Sequence, residues 1–144
     1  MKRQTKKRRV KTIVWSRILY ACETWALTKS DIKRLEACEM WIWRKMEGIS
    51  WKEMKTNTEV LQLVEEKRTL IDTIRKRKKN WIGHILRGDG LLKLIIEGHI
   101  EGKKARGRPR IGMIDELKIK GYPFMKRKAE DRKEWREWTP WTCQ

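Results

Sequence analysis

Seven apolar residues, Leu70, Ile71, Ile74, Trp81, Ile82, Ile85 and Leu86, keep the period of an α-helix across five consecutive cations. At about 3.6 residues per turn they share one face, because the step from Ile74 to Trp81 is nearly two full turns. Such a segment folds as a helix with one side against a core. The intervening Arg75, Lys76, Arg77, Lys78 and Lys79 circle that helix. Lys78 falls on the apolar side, where its stem can lie along the core while its ammonium points outward. Arg75, Lys76 and Lys79 are expected to stay free for an anion.

A lone run of cations is most simply a solvated helix face. Here a second cluster, Lys103, Lys104, Arg106, Arg108 and Arg110, follows after a short connection. Two cationic segments then bracket one structural unit, which predicts a polyanion site. The whole chain has 37 basic and 19 acidic residues, a net charge of +18 over 144 residues. Of that excess, +15 lies in residues 1–11 and 65–110. A charge this high and this localised opposes compaction unless an anionic partner neutralises part of it.

The length suits a single domain. Cys22, Cys38 and Cys143 are odd in number and widely spaced with no CxxC pair, so neither a disulfide framework nor a zinc knuckle is expected. No apolar stretch approaches the ~20 residues of a membrane span, and no secretory signal is visible. Residence in the nucleus, or alternatively in a cytoplasmic ribonucleoprotein, is the expectation.

In chain order, residues 1–11 are nearly devoid of apolar side chains and predict a disordered basic tail. Within it, Lys6 to Lys11 reads either as a nuclear import signal or as a chance basic leader. Residues 12–138 predict a mainly α region of about five to six helices. A first helix runs from Thr12 to Thr24. Thr28, with Asp31 three residues on, opens a second, whose inward stripe is Ile32, Leu35, Cys38, Trp41, Ile42 and Met46 and whose end is Gly48. Trp43 and Trp51 are expected to pack, with base stacking as the alternative. Asn57 caps a short helix with Val60, Leu61 and Val64 inward. After the long basic helix, Ile95 to Gly102 suggests a short β-hairpin. Pro109 begins a helix with Ile111, Ile114 and Leu117 inward. Pro123 begins the last, where Met125, Ala129, Arg132 and Trp135 share a face. Residues 139–144 form a frayed tail. His84 is expected to be a hydrogen-bonded structural imidazole, and His99 a phosphate contact no better than the lysines around it.

The order of the segments Tyr20 to Thr28, Leu35 to Trp51, Lys78 to Leu92, Ile95 to Arg110 and Ala129 to Trp135 resembles the C-terminal region of non-LTR (LINE-like) retrotransposon reverse transcriptases. NWIGHILR and EGKKARGRPR are the specific parts. The resemblance implies a thumb-like or connector segment that follows the polymerase palm and holds template and primer, with an upstream polymerase region as a partner in trans. The family's YxDD-type carboxylate pair and further aspartate, which hold two metal ions, have no counterpart here. Asp31, Asp72, Asp89, Asp115 and Asp131 are scattered singly. The expectation is therefore a binding fragment without catalytic residues, metal or cofactor, contacting RNA, DNA or their hybrid through Arg75, Lys76, Lys78, Lys79, Lys103, Lys104, Arg106, Arg108 and Arg110. Two alternatives stand beside it: a partner-dependent reverse transcriptase module, and minor-groove binding by Arg106 to Arg110, whose RGRPR resembles an AT-hook core.

Overall fold

The computed structural model describes residues 2–98, 106–107 and 111–141. They are mainly helical, and no strand forms among them. The chain divides into two compact units, one of Met1–Cys22 with Leu27–Lys76 and one of Glu23–Ala26 with Arg77–Gln144.

The first unit begins with α1 (Arg3–Arg9), a π-helical turn over Val10–Val14, and α2 (Trp15–Ile18). The basic leader is thus helical, not a disordered tail. Three of its cations have carboxylate partners: Lys7 is buried and lies 3.8 and 3.7 Å from the Glu65 and Glu66 carboxylates. Lys11 reaches Glu66 at 2.7 Å and Arg3 reaches Glu47 at 3.1 Å. Composition alone does not show these carboxylates, which lie far along the chain. The helix expected from Thr12 stops at Ile18, and a separate 3-10 turn covers Cys22–Thr24.

Helix α3 (Lys29–Glu47) starts at the foreseen capping box. Asp31 N–H donates to Thr28 Oγ1 at 3.2 Å, and Thr28 N–H donates back to the Asp31 carboxylate at 3.0 Å. It ends at Gly48, whose φ of +72° is the left-handed cap that glycine adopts without strain. The buried face keeps Ile42 from the expected stripe but differs otherwise, because Glu39, Met40 and Trp43 are inside and Trp41 is out. Each three-residue step falls about 60° short of a turn, so the steps from Ile32 to Trp41 end roughly opposite the start. Trp43 packs on Trp15 with ring centroids 5.3 Å apart. Glu39, fully buried, accepts from the Thr69 and Leu70 amides at 2.9 and 3.4 Å and so caps the helix that follows. Helix α4 (Asn57–Val64) is capped one residue earlier than expected, by a reciprocal pair of Thr56 and Glu59.

Helix α5 (Leu70–Arg87) contributes residues up to Lys76 to the first unit and the rest to the second. The second unit adds α6 (Leu91–Glu97), a 3-10 turn at Asp115–Leu117, α7 (Tyr122–Glu130) and α8 (Arg132–Glu137). The expected hairpin is contradicted where it can be seen, since Ile95 to Glu97 close a helix that Gly98 caps; residues 99–102 lie outside the described residues. Ile114 and Leu117 are buried as foreseen, but Ile111 is exposed and only a short turn forms around them. The last expected helix is two, because the Asp131 carboxylate accepts from Lys133 and Glu134 amides and starts α8 afresh. That break turns Arg132 outward while Met125, Ala129 and Trp135 join Ile82 and Leu86 in one core. Residues 139–141 are not frayed: Pro140 is buried and Trp141 packs against this core.

Gly83 makes the core possible. The Trp135 indole lies directly on α5, its N–H donating to the Lys79 carbonyl at 3.1 Å. A Cβ at Gly83 would sit 2.2 Å from that indole nitrogen.

Candidate nucleic-acid interface

The five cations of α5 have five different environments. Lys78 is fully buried, and its ammonium donates to the Trp25 carbonyl and to Glu116 at 3.3 Å. It does not reach outward along the core. Lys79 is also buried, not free for an anion, and its ammonium donates to the carbonyls of Arg136, at 3.1 Å, and Trp138. These carbonyls close α8, where a cation satisfies orphan acceptors and opposes the negative end of the helix dipole. Arg75 is half-buried. Arg77 is exposed and lies 3.9 Å from the Glu23 carboxylate. Lys76 is exposed, with no carboxylate partner among the described residues.

Of the second cluster, Arg106 is exposed, and Lys103, Lys104, Arg108 and Arg110 lie outside the described residues. His84 is exposed on α5 with no side-chain hydrogen bond among the described residues, instead of being a hydrogen-bonded structural imidazole; His99 lies outside the described residues. Sequence reading therefore placed Lys76 and Arg106 at the surface correctly and misplaced Lys78 and Lys79. It took Arg8 and Arg9 only as part of the Lys6 to Lys11 import-signal reading and did not name Lys2 as a contact; all three face outward at α1 while Arg3, Lys7 and Lys11 are paired.

Several carboxylates are occupied within the fold. The Thr28 hydroxyl and then its amide hold Asp31 below the ordinary aspartate value. Lys55 followed by the Ser50 amide does the same for Glu53, and the Thr56 amide followed by its hydroxyl for Glu59. Glu97 is lowered first by Lys126, whose ammonium donates at 2.6 Å, then by the Tyr122 hydroxyl at 3.0 Å. Burial, followed by that hydrogen bond, pushes Tyr122 up to about 12. Arg87 is pulled down by burial and by Arg132, and donates to the Ala129 carbonyl at 2.9 Å. With caps and ion pairs engaging these acids, cations such as Lys2, Arg8, Arg9 and Lys76 remain outward.

Among the described residues no three His, Cys, Asp or Glu side chains come together as a set able to hold a metal ion. No described helix is long and apolar enough to cross a membrane. No protein-family model, curated protein or solved structure matches this chain.

Proposed function

We propose that this protein binds nucleic acid through phosphate contacts, as a non-catalytic fragment akin to the C-terminal region of a LINE-like reverse transcriptase. The observation that carries the reading is the surface charge: on a chain of net charge +18, Lys2, Arg8, Arg9 and Lys76 project outward without a carboxylate partner among the described residues. A polyanion with regularly spaced charges neutralises such a surface and releases its own condensed counterions, which drives binding. Phosphate contacts of this kind position a strand without reading its bases, so affinity is expected to vary little with sequence. The family kinship rests on the motif order from Tyr20 to Trp135, and nuclear residence goes with it.

Binding of the full chain to A·T-rich and G·C-rich duplexes, an RNA·DNA hybrid and single strands, across a salt series, tests this reading. Comparable affinities that fall linearly in log–log form support it. Selective binding to A·T-rich duplex favours the AT-hook reading of Arg106 to Arg110, and no binding at low salt refutes the proposal. Primer extension with magnesium or manganese present separates the binding fragment, which gives no product, from a polymerase module.

A further inference from the structure

Two indoles of the first unit stand outside its core. Trp41, on α3, is 61% exposed and Trp51, in the turn beyond it, is 80% exposed. Both line one open groove of about 520 Å³, together with Arg44, Lys45 and Ile49. Trp41 and Lys45 also border a second groove, of about 390 Å³, with Lys6, Arg9 and Val10. Among the described residues no Asp or Glu lines either groove, although the chain has 19 of them. Arg9 and Lys45 have no carboxylate partner among the described residues.

The Trp51 turn is held in shape. Ser50 N–H donates to the Glu53 carboxylate at 2.8 Å, Lys52 N–H to Ser50 Oγ at 3.4 Å, and Met54 closes the turn at a φ of +46°. From α3, the Arg44 guanidinium donates to the Lys55 carbonyl at 3.1 Å and to Asn57 Oδ1 at 2.8 Å, tying the turn to the helix that carries Trp41. An exposed indole forgoes the stabilisation of burial. Two of them set on a tied turn and a helix, in grooves whose charged lining residues are cations, suit a ligand offering flat π-faces and negative charge together.

We propose that this face is a stacking platform for single-stranded nucleic acid, in which bases stack on Trp41 and Trp51 and the backbone phosphates meet Lys45, Arg9 and Lys6. The inference rests on the nucleic-acid reading above and adds to it a strand form and a second contact region. An acidic peptide would satisfy the cations but leave the indoles without a planar partner. Every base has a π-face, so such a platform tolerates any sequence.

The test is titration of the full chain with a short oligothymidylate, read by tryptophan fluorescence and by anisotropy of the labelled strand, with a duplex and an oligoglutamate peptide in parallel. Trp41→Ala and Trp51→Ala, both at exposed positions, should each weaken oligothymidylate binding by about 5- to 150-fold, the usual value of a base stacked on an aromatic ring. Duplex affinity should change less than about twofold, since phosphate contacts dominate there. Trp41→Phe and Trp51→Phe should recover most of the affinity while each removes part of the fluorescence quenching, which a merely structural role for these rings would not produce. Unchanged oligothymidylate affinity in both alanine variants, with duplex binding intact, overturns the platform and leaves the general reading standing. Equal losses on duplex and single strand also overturn it, as does quenching by oligoglutamate but not by oligothymidylate. A wild-type chain that binds neither nucleic acid refutes both proposals.

Discussion

Gly83→Ala should destabilise the protein, although the same change inside an exposed helix ordinarily stabilises by about 1 kcal/mol. The added methyl carbon would lie 2.2 Å from Trp135 Nε1 and 2.7 Å from the adjoining ring carbons, against a comfortable separation of about 3.5 Å. The indole is 3% exposed and must withdraw by more than an ångström, breaking its bond to the Lys79 carbonyl. Overpacking of this kind costs about 1–3 kcal/mol, and a buried donor left unsatisfied about 1–3 more. Less the helix-propensity gain, the net loss is about 1–5 kcal/mol. Urea unfolding followed by far-ultraviolet circular dichroism measures it. Trp135→Ala alone should cost about 3–5 kcal/mol, and adding Gly83→Ala to it should cost nothing further because the obstructing ring is gone. A Gly83→Ala protein as stable as the parent, or more so, would refute the docking of Trp135 on α5.

Lys79→Gln should lower stability by about 1.5–3 kcal/mol, the range for hydrogen bonds to a charged group, and leave the salt dependence of nucleic-acid binding unchanged. A reduced slope would show the ammonium to be at the surface. Tyr122 makes stability depend on alkaline pH: its folded value is raised to about 12 from the ordinary 10, so its contribution is full below 10 and is lost as pH rises toward 12. Its partner Glu97 is lowered in the fold, so that contribution is present above the ordinary glutamate value of 4.5 and is lost as pH falls through the depressed one. Denaturation of wild type and Tyr122→Phe across the alkaline range should show a difference that shrinks above pH 10; a constant difference would contradict the Tyr122–Glu97 bond.

Local chemistry was legible in the sequence. The Thr28–Asp31 box, the Gly48 cap and the phase of Ile74, Ile82 and Leu86 follow from short-range rules that hold whatever the rest of the chain does. What was not legible depends on distant partners. Lys79 reads as a surface cation until the end of α8 brings two carbonyls to it, and Glu39 reads as a polar interruption until the start of α5 needs a cap. The leader reads as disordered because Glu47, Glu65 and Glu66, which hold it, lie more than 35 residues away. Of the candidate site, Lys76 and Arg106 were legible because exposure is the ordinary state of a cation, whereas the exposure of Trp41 and Trp51 goes against the ordinary fate of an indole.

The salt dependence of duplex and hybrid affinity tests the central claim most directly. Log K should fall linearly with log salt, and changing Lys2, Arg8, Arg9 and Lys76 together to glutamine should lower that slope by about 3 to 4 units, at roughly 0.7–0.9 for each phosphate no longer neutralised. The far-ultraviolet spectrum and the melt should be unchanged, because all four side chains are exposed. A slope identical to that of the parent protein would contradict phosphate binding by these residues and return them to an ordinary solvated surface.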